Sequence, residues 1–268
     1  MQRITLVTPV LNGARFFAET IGSIRAQRYP NLEYIVRDGG STDGSVEIAN
    51  QARDVVSSLA VERDGGMYSA LAKGFAEASG EILGWINSDD VLMPWCLSVV
   101  SRYFSEFPEC DWITGVPTMM DDKGHVVWTA AVAPRYNRRW IARGWYSARG
   151  LGGIQQESTF FRRRLYERVG GIRTEFRLAG DFDLWRRFAM HSKLTQVGTI
   201  IASFRLHGSN LSGDLEAYLR EAQAPRIRFG TFLGSLYSFL AFCATRVRRE
   251  RRFKDIALPG SIGTRSLL

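Results

Sequence analysis

Asp89 and Asp90 stand side by side at the end of an apolar run, in "GEILGWINSDDVLMP" (80–94). Adjacent carboxylates closing a strand that reads as fully buried are costly unless a cation neutralises them. A hard divalent ion such as Mg2+ or Mn2+ meets that need. It takes carboxylate oxygen, keeps waters, and draws its other ligands from a substrate's phosphates. A solvated loop with two incidental acids explains the bare pair equally well. The pattern recurs, however: Asp38 ends "LEYIVRD" before the turn-rich "GGSTDGS", and Asp64 follows "SSLAVER". An acid in that position can accept hydrogen bonds from a base or ribose. Taken alone, it reads as a helix cap and turn.

These acids need elements to position them. "ITLVTPV" (4–10) reads as a strand, and Phe17, Ile21 and Ile24 recur at helical spacing after about Arg15. Further strands are expected at 32–38, 57–63 and 81–87, with helices from Ser45, over 66–79, and from Pro94 through Phe104. Alternating strands and helices with short connections predict an α/β fold with a mostly parallel central sheet flanked by helices. Ligands then bind beyond the carboxyl ends of the strands, where Asp38, Asp64, Asp89 and Asp90 should converge. After Asp111 the pattern changes. Residues 112–131 suggest two strands around an Asp-Asp-Lys-Gly turn, and 132–153 are irregular and rich in Arg, Gly and aromatics. A strand then enters a helix ending at Gly170–Gly171, followed by a helix over 180–192, one late strand in 195–208, and a helical tail from about 214.

With 268 residues and 45% hydrophobic content, the chain can bury a large core. Its net charge of +8 invites a nucleic-acid partner, but the distribution argues against one. From Arg246 onward there are seven basic and two acidic residues, a net +5 that leaves only +3 for the rest. Cys96, Cys110 and Cys243 are odd in number and lack CxxC spacing, so neither a disulfide framework nor a structural zinc site is expected. They fit a cytoplasmic compartment, and the short, Pro9-interrupted "ITLVTPV" is unlike a signal peptide. There is no P-loop and no GxGxxG.

Five segments, "TLVTPVLN", "YIVRDGGSTDGS", "ERDGGMYSALAKG", "GEILGWINSDD" and "AGDFDLW", resemble in order and spacing the family 2 glycosyltransferases of the GT-A fold, closest to the bacterial O-antigen and capsule type. The resemblance covers about residues 3–212 and implies a glycosyltransferase domain over 1–212, with a nucleotide-binding half (1–110) and an acceptor half (111–212). Residues 213–268 are then a basic helical tail. It further implies inverting transfer from a nucleotide-diphosphate sugar, usually UDP-linked, to a glycan or lipid-linked saccharide in surface-polysaccharide assembly. By position, Thr8, Val10 and Asn12 would line the nucleotide pocket, Asp38 would face the base, and Asp64 would help hold the nucleotide. Lys73 would approach the phosphates, Asp89 the ribose, and Asp90 would ligate the metal. Asp181 matches the catalytic base and His207 a residue near the metal or diphosphate.

The base has a defined task, taking the proton of a sugar hydroxyl as it attacks the anomeric carbon. Asp183 competes for it, but at 3.6 residues per turn the two acids point about 200° apart. Asp181 also reads as a helix N-cap. Gln155, Gln156 and Glu157 should border the acceptor pocket, while Trp145 and Tyr146 read either as sugar-stacking or as structural aromatics. Two departures stand out: Gly39 replaces a second acid after Asp38, and Ser69 and Ala72 replace an acid and an amide in "YSALAKG".

The apolar segment 229–244 runs into six basic residues between Arg246 and Lys254. Such a segment suits the anionic inner face of a membrane, although a packed helix with a solvated basic end reads as well. Two other functions compete. A nucleotidyltransferase acting on a sugar phosphate should carry a Gly-rich triphosphate loop after its first strand, where "TPVLNGARFF" stands. A nucleic-acid module should carry its positive charge on the body.

Overall fold

The computed structural model describes residues 1–131, 133–147 and 150–224, all within one compact unit. The apolar segment 229–244 and the Arg cluster lie outside the described residues.

The first half alternates as expected: β1 (Ile4–Val10), α1 (Ala14–Arg25), β2 (Leu32–Asp38), α2 (Ser45–Gln51), β3 (Ser58–Val61), α3 (Met67–Glu77) and β4 (Ile82–Trp85). Then come β5 (Val91–Leu92), α4 (Cys96–Glu106), β6 (Trp112–Thr114), β7 (Thr118–Met120), β8 (Val126–Thr129) and α5 (Arg138–Ala142). The chain continues through β9 (Thr159–Arg162), α6 (Arg163–Arg168), α7 (Gly180–His191), β10 (Thr195–Gln196), β11 (Ala202–Arg205) and α8 (Leu215–Glu221).

The main sheet has the order β10-β6-β9-β4-β1-β2-β3. All of its strands are parallel except β9, which runs antiparallel to β4 and β6. β1 lies between two parallel neighbours and is buried at every position, as a near-continuous apolar run should be. Its even positions Ile4 and Leu6 join the core beneath α1, α2 and α4. Val7 joins the opposite core beneath α3, α6 and α7. In that second core Trp185 of α7 stacks on Trp85 and Trp112, with centroids 5.4 and 5.7 Å apart.

A second sheet of order β5-β11-β7-β8 overturns three boundary expectations. The strand expected over 81–87 ends at Trp85, and Val91–Leu92 pair instead with β11. Residues 112–131 hold three strands, not two: β6 completes the main sheet, while β7 and β8 form the hairpin. Pro117, which has no N–H for a ladder, marks the departure. The single late strand is likewise divided, β10 in the main sheet and β11 in the small one. Helix α4 starts at Cys96 rather than at Pro94, because the buried Gln27 side chain accepts from the Leu97 amide and donates to the Met93 carbonyl. Among the described residues no helix is long and apolar enough to cross a membrane.

Candidate active site

The carboxyl edge of the parallel strands gathers the acids read from the sequence. The Gly39 amide donates to Val10 O, tying the end of β1 to the loop after β2. Asn12, in the left-handed region at φ 52°, accepts from the Thr42 amide and donates its own N–H to Ser41 Oγ. Gly13 passes so near the next loop that a Cβ would stand 2.6 Å from Ser88 Oγ. Asp38 Oδ1 accepts from the Gly40 and Ser41 amides at 2.9 and 2.7 Å, whereas its Oδ2 is buried without a partner. Asp64 caps the Gly66 amide, and both its carboxylate oxygens lie 3.6 Å from where a Cβ on Gly39 would sit. An acid in place of Gly39 would therefore meet a like charge.

The Asp89–Asp90 pair is separated by the turn at 87–90, in which the Asp90 amide donates to Asn87 O. Asp90 is fully buried; its Oδ1 accepts from the Arg205 amide at 2.8 Å and its Oδ2 has no partner. Burial, reinforced by Asp89 and Glu157, pushes its carboxyl well above the usual range. Asp90 is therefore the inner carboxylate of the pair. The outward carboxylate is Asp89, whose Oδ2 lies 2.9 Å from His207 Nε2. Arg205, buried and stacked on Phe16, donates to Asp89 O at 2.7 Å and pairs with Glu19. Phe16 also flanks the His207 ring, with centroids 4.9 Å apart.

A divalent ion fits Asp89 and His207 in part. They supply one carboxylate oxygen and one imidazole nitrogen 2.9 Å apart, and among the described residues no three His, Cys, Asp or Glu side chains cluster as a metal cage. Two protein ligands suit an ion that arrives with phosphate and water ligands. Asp38 Oδ2, Asn87 Oδ1, Asp90 Oδ2 and Glu157 Oε1 are all buried acceptors without partners on these loops. Unpaired buried acceptors are destabilising, and a ligand donating to them would remove that cost.

Helix α7 begins at Gly180, where a Cβ would stand 2.8 Å from the Tyr68 ring. Only glycine lets the start of this helix approach α3 so closely. Asp181 Oδ1 lies 3.3 Å from Tyr68 Oη and 3.4 Å from Tyr218 Oη. Burial raises its carboxyl to about 6 against the opposing effect of hydrogen bonds. Asp183 points away, held by Arg187 at 2.8 Å and Arg173 at 3.4 Å, so of the two α7 acids only Asp181 faces Tyr68 and Tyr218. Glu157 links the halves of the site. Burial raises its carboxyl to about 8, and the charges of Asp89 and Asp181 add to the shift.

The remaining expected residues are mostly engaged within the fold. Thr8 is fully buried with its hydroxyl accepting from Tyr34, and Val10 is a core residue, so neither side chain lines an open pocket. Lys73 pairs with Glu62 at 3.0 Å, roughly 9 Å along the axis from the start of α3. Gln155 is spent on the N–H and C=O of Thr118, and Gln156 donates to Trp85 O. Tyr146 is buried against Tyr136 and bonded to the backbone of 135 and 137, which makes it the structural aromatic. Trp145 is half-buried and stacks on Trp140. Sequence reasoning missed Tyr68, Arg205 and Tyr218. Arg205 carried one signal, since it stands two residues before His207 at the period that shares a strand face.

A mostly parallel sheet with one reversed strand, carrying acids along its carboxyl edge and a small second sheet beside them, defines a GT-A glycosyltransferase fold. Solved structures of that fold agree. S. aureus TarS residues 1–349 with UDP-GlcNAc align at TM-score 0.62 and 15% identity over 84% of this chain and 62% of that one. The mannosyltransferase PcManGT of Pyrobaculum calidifontis, with GDP-Man and Mn2+, aligns at 0.60 and 21% identity over 78% and 58%. This chain thus spans about three fifths of the length of those structures. Residues 5–170 match the model of glycosyl transferase family 2, and the chain belongs to that family. Relatives include an uncharacterized glycosyltransferase of Rickettsia prowazekii, 26% identical over 81% of this chain and 68% of that protein. A PGL/p-HBAD biosynthesis glycosyltransferase of Mycobacterium bovis is 27% identical over 83% and 85%.

Proposed function

We propose that this glycosyltransferase inverts the anomeric centre as it moves a sugar from a UDP-linked donor to an acceptor hydroxyl in surface-polysaccharide assembly. One observation carries the proposal. Asp181 and Asp89 come from opposite halves of the chain, and both carboxylates lie close enough to the buried Glu157 to raise its carboxyl. One half offers acceptors for a nucleotide, and the other offers a base. The unpartnered Asp38 Oδ2 would take an N–H of the base. Asp89 Oδ2 and His207 Nε2 would hold Mn2+ or Mg2+ at the diphosphate. When bound, the ion supplies Lewis-acid neutralisation of the departing diphosphate. Asp181, with its carboxyl near 6, is ionised at neutral pH yet more basic than a solvated aspartate. It would take the acceptor proton as the hydroxyl attacks the anomeric carbon, and Asp183, tied to Arg187, leaves it that task. The diphosphates named in the TarS and PcManGT structures support the donor class.

The test is release of nucleoside diphosphate from a panel of UDP-, GDP- and dTDP-sugars, with Mn2+ or with EDTA. Release from a UDP-sugar that EDTA suppresses is expected. Pyrophosphate release from UTP and a sugar phosphate, with every nucleotide sugar inert, would establish the nucleotidyltransferase alternative instead.

We also propose that the C-terminal sequence brings the enzyme to an anionic membrane surface, on the strength of the apolar 229–244 run and the basic residues after it. The full chain is expected to sediment with phosphatidylglycerol vesicles, and a chain ending before Phe229 is expected to stay in the supernatant. Equal partitioning of the two would end this proposal.

A further inference from the structure

We propose that Tyr218 of α8 is the hydrogen-bond donor that positions the Asp181 carboxylate, which makes residues 214–222 a working wall of the site. The proposal rests on Asp181 as the base and adds a positioning residue outside the stretch matched by the family model.

Counting protons leads to it. Two tyrosine hydroxyls approach Asp181 Oδ1 at nearly equal distances. Each hydroxyl has a single proton to give. Tyr68 Oη has a closer acceptor in Leu178 O at 2.9 Å, and it also accepts from the Asp181 amide at 3.3 Å. Its proton is therefore committed to the backbone. Tyr218 Oη has Asp181 Oδ1 as its partner and no other among the described residues. Burial, with the Asp181 charge next in size, raises the Tyr218 phenol well above its usual range, so it stays protonated and can donate.

The helix is anchored where this task requires. Glu221, three residues from Tyr218 and so on the same face, accepts from the amides of Arg177 and Leu178, just upstream of Asp181. Asp214 caps α8 through the Ala217 amide. The Tyr218 ring meets Phe182 edge-on at 6.4 Å, and Ala222 packs with Ala179 and Phe182. One face of α8 thus grips both the segment that leads into the base and the base itself.

The groups facing Asp181 are Tyr68 from α3, Tyr218 from α8 and Glu157 from the loop before β9. A donor to a carboxylate favours its charged form, so losing that donor raises the pH at which the carboxyl titrates. The experiment is a 13C NMR pH titration of the Asp181 carboxyl in the full-length protein, assigned by the resonance missing from Asp181→Asn. Tyr218→Phe should titrate at higher pH than wild type, and Tyr68→Phe should move less. Turnover at pH 6 with a UDP-sugar and Mn2+ should fall about three- to tenfold in Tyr218→Phe and recover as pH rises, as expected for a long hydrogen bond to a charged group. Glu221→Gln, which loosens the anchor but keeps the ring, should move the titration the same way by a smaller amount. An unchanged midpoint in Tyr218→Phe, or a larger shift in Tyr68→Phe, overturns the proposal. Near-normal turnover in Asp181→Asn would sink the base assignment instead, and the titration would still report which tyrosine donates.

Discussion

Asp181→Asn should lower turnover by ~10²–10⁴-fold, the usual loss for a missing general base, while donor and Mn2+ bind almost as in wild type. The substitution is isosteric and leaves the nucleotide side of the cleft, built on the loops after β1, β2, β3 and β4, untouched. A group that acts on the acceptor hydroxyl during reaction contributes to kcat and not to donor affinity. Calorimetric titration of donor beside a transfer assay separates the two. Asp183→Asn supplies the contrast. It removes the ion pairs to Arg187 and Arg173 and should lower the thermal midpoint while turnover stays within a few-fold of wild type. If Asp183→Asn lost turnover and Asp181→Asn kept it, the base would have been misassigned by two residues.

The pH dependence follows from the same carboxyl. Its value near 6 lies above that of an unfolded aspartate, so the native state binds this proton more tightly. The stability it contributes is present below the unfolded value and is lost as pH rises through about 6. The base works only when ionised, so activity should appear over the same interval. Asp181→Asn should therefore lose the acidic limb of the rate profile and be more thermostable than wild type at pH 8 than it is at pH 5. A wild-type rate that does not change between pH 5 and 7 would rule out a base titrating there.

The second large effect separates the two adjacent acids. Asp89→Ala and His207→Ala should each cut Mn2+-supported turnover more than ~100-fold, since even outer-shell partners of a metal are worth 10–100-fold. Binding of Mn2+ in the presence of UDP, followed by electron paramagnetic resonance, should weaken in both. Asp90→Asn should be far milder. An asparagine oxygen can still accept from the Arg205 amide, and the change replaces a fully buried carboxyl whose burial already disfavours ionisation. Loss of Mn2+ binding in Asp90→Asn, with Asp89→Ala intact, would return the metal to the inner carboxylate.

The contrast between these two acids shows where sequence stops. The order of β1 to β4 with their helices was legible, because β1, β2 and β4 are largely buried runs, β3 is a shorter half-buried one, and each helix has an apolar stripe at its own period. Strand-end acids followed by glycine turns were legible for the same local reason, and a parallel sheet must bring them to one edge. Which of Asp89 and Asp90 is the outward carboxylate was not. It depends on β5 pairing with β11, which is more than a hundred residues away in the chain. The 112–131 and 195–208 stretches were misdivided for that reason too: short strands of similar composition were shared between two sheets. Asp181 and Asp183 differ by a helical rotation that sequence can state, but which of them meets the cleft depends on Arg187, Arg173 and Tyr68. Tyr218 had no local signal, because its role exists only once α8 folds back over the start of α7. Local pattern determined the elements and the stock of acids in this protein. Tertiary structure decided which acids face the cleft, because burial and hydrogen-bond partners are set by segments far apart in the chain.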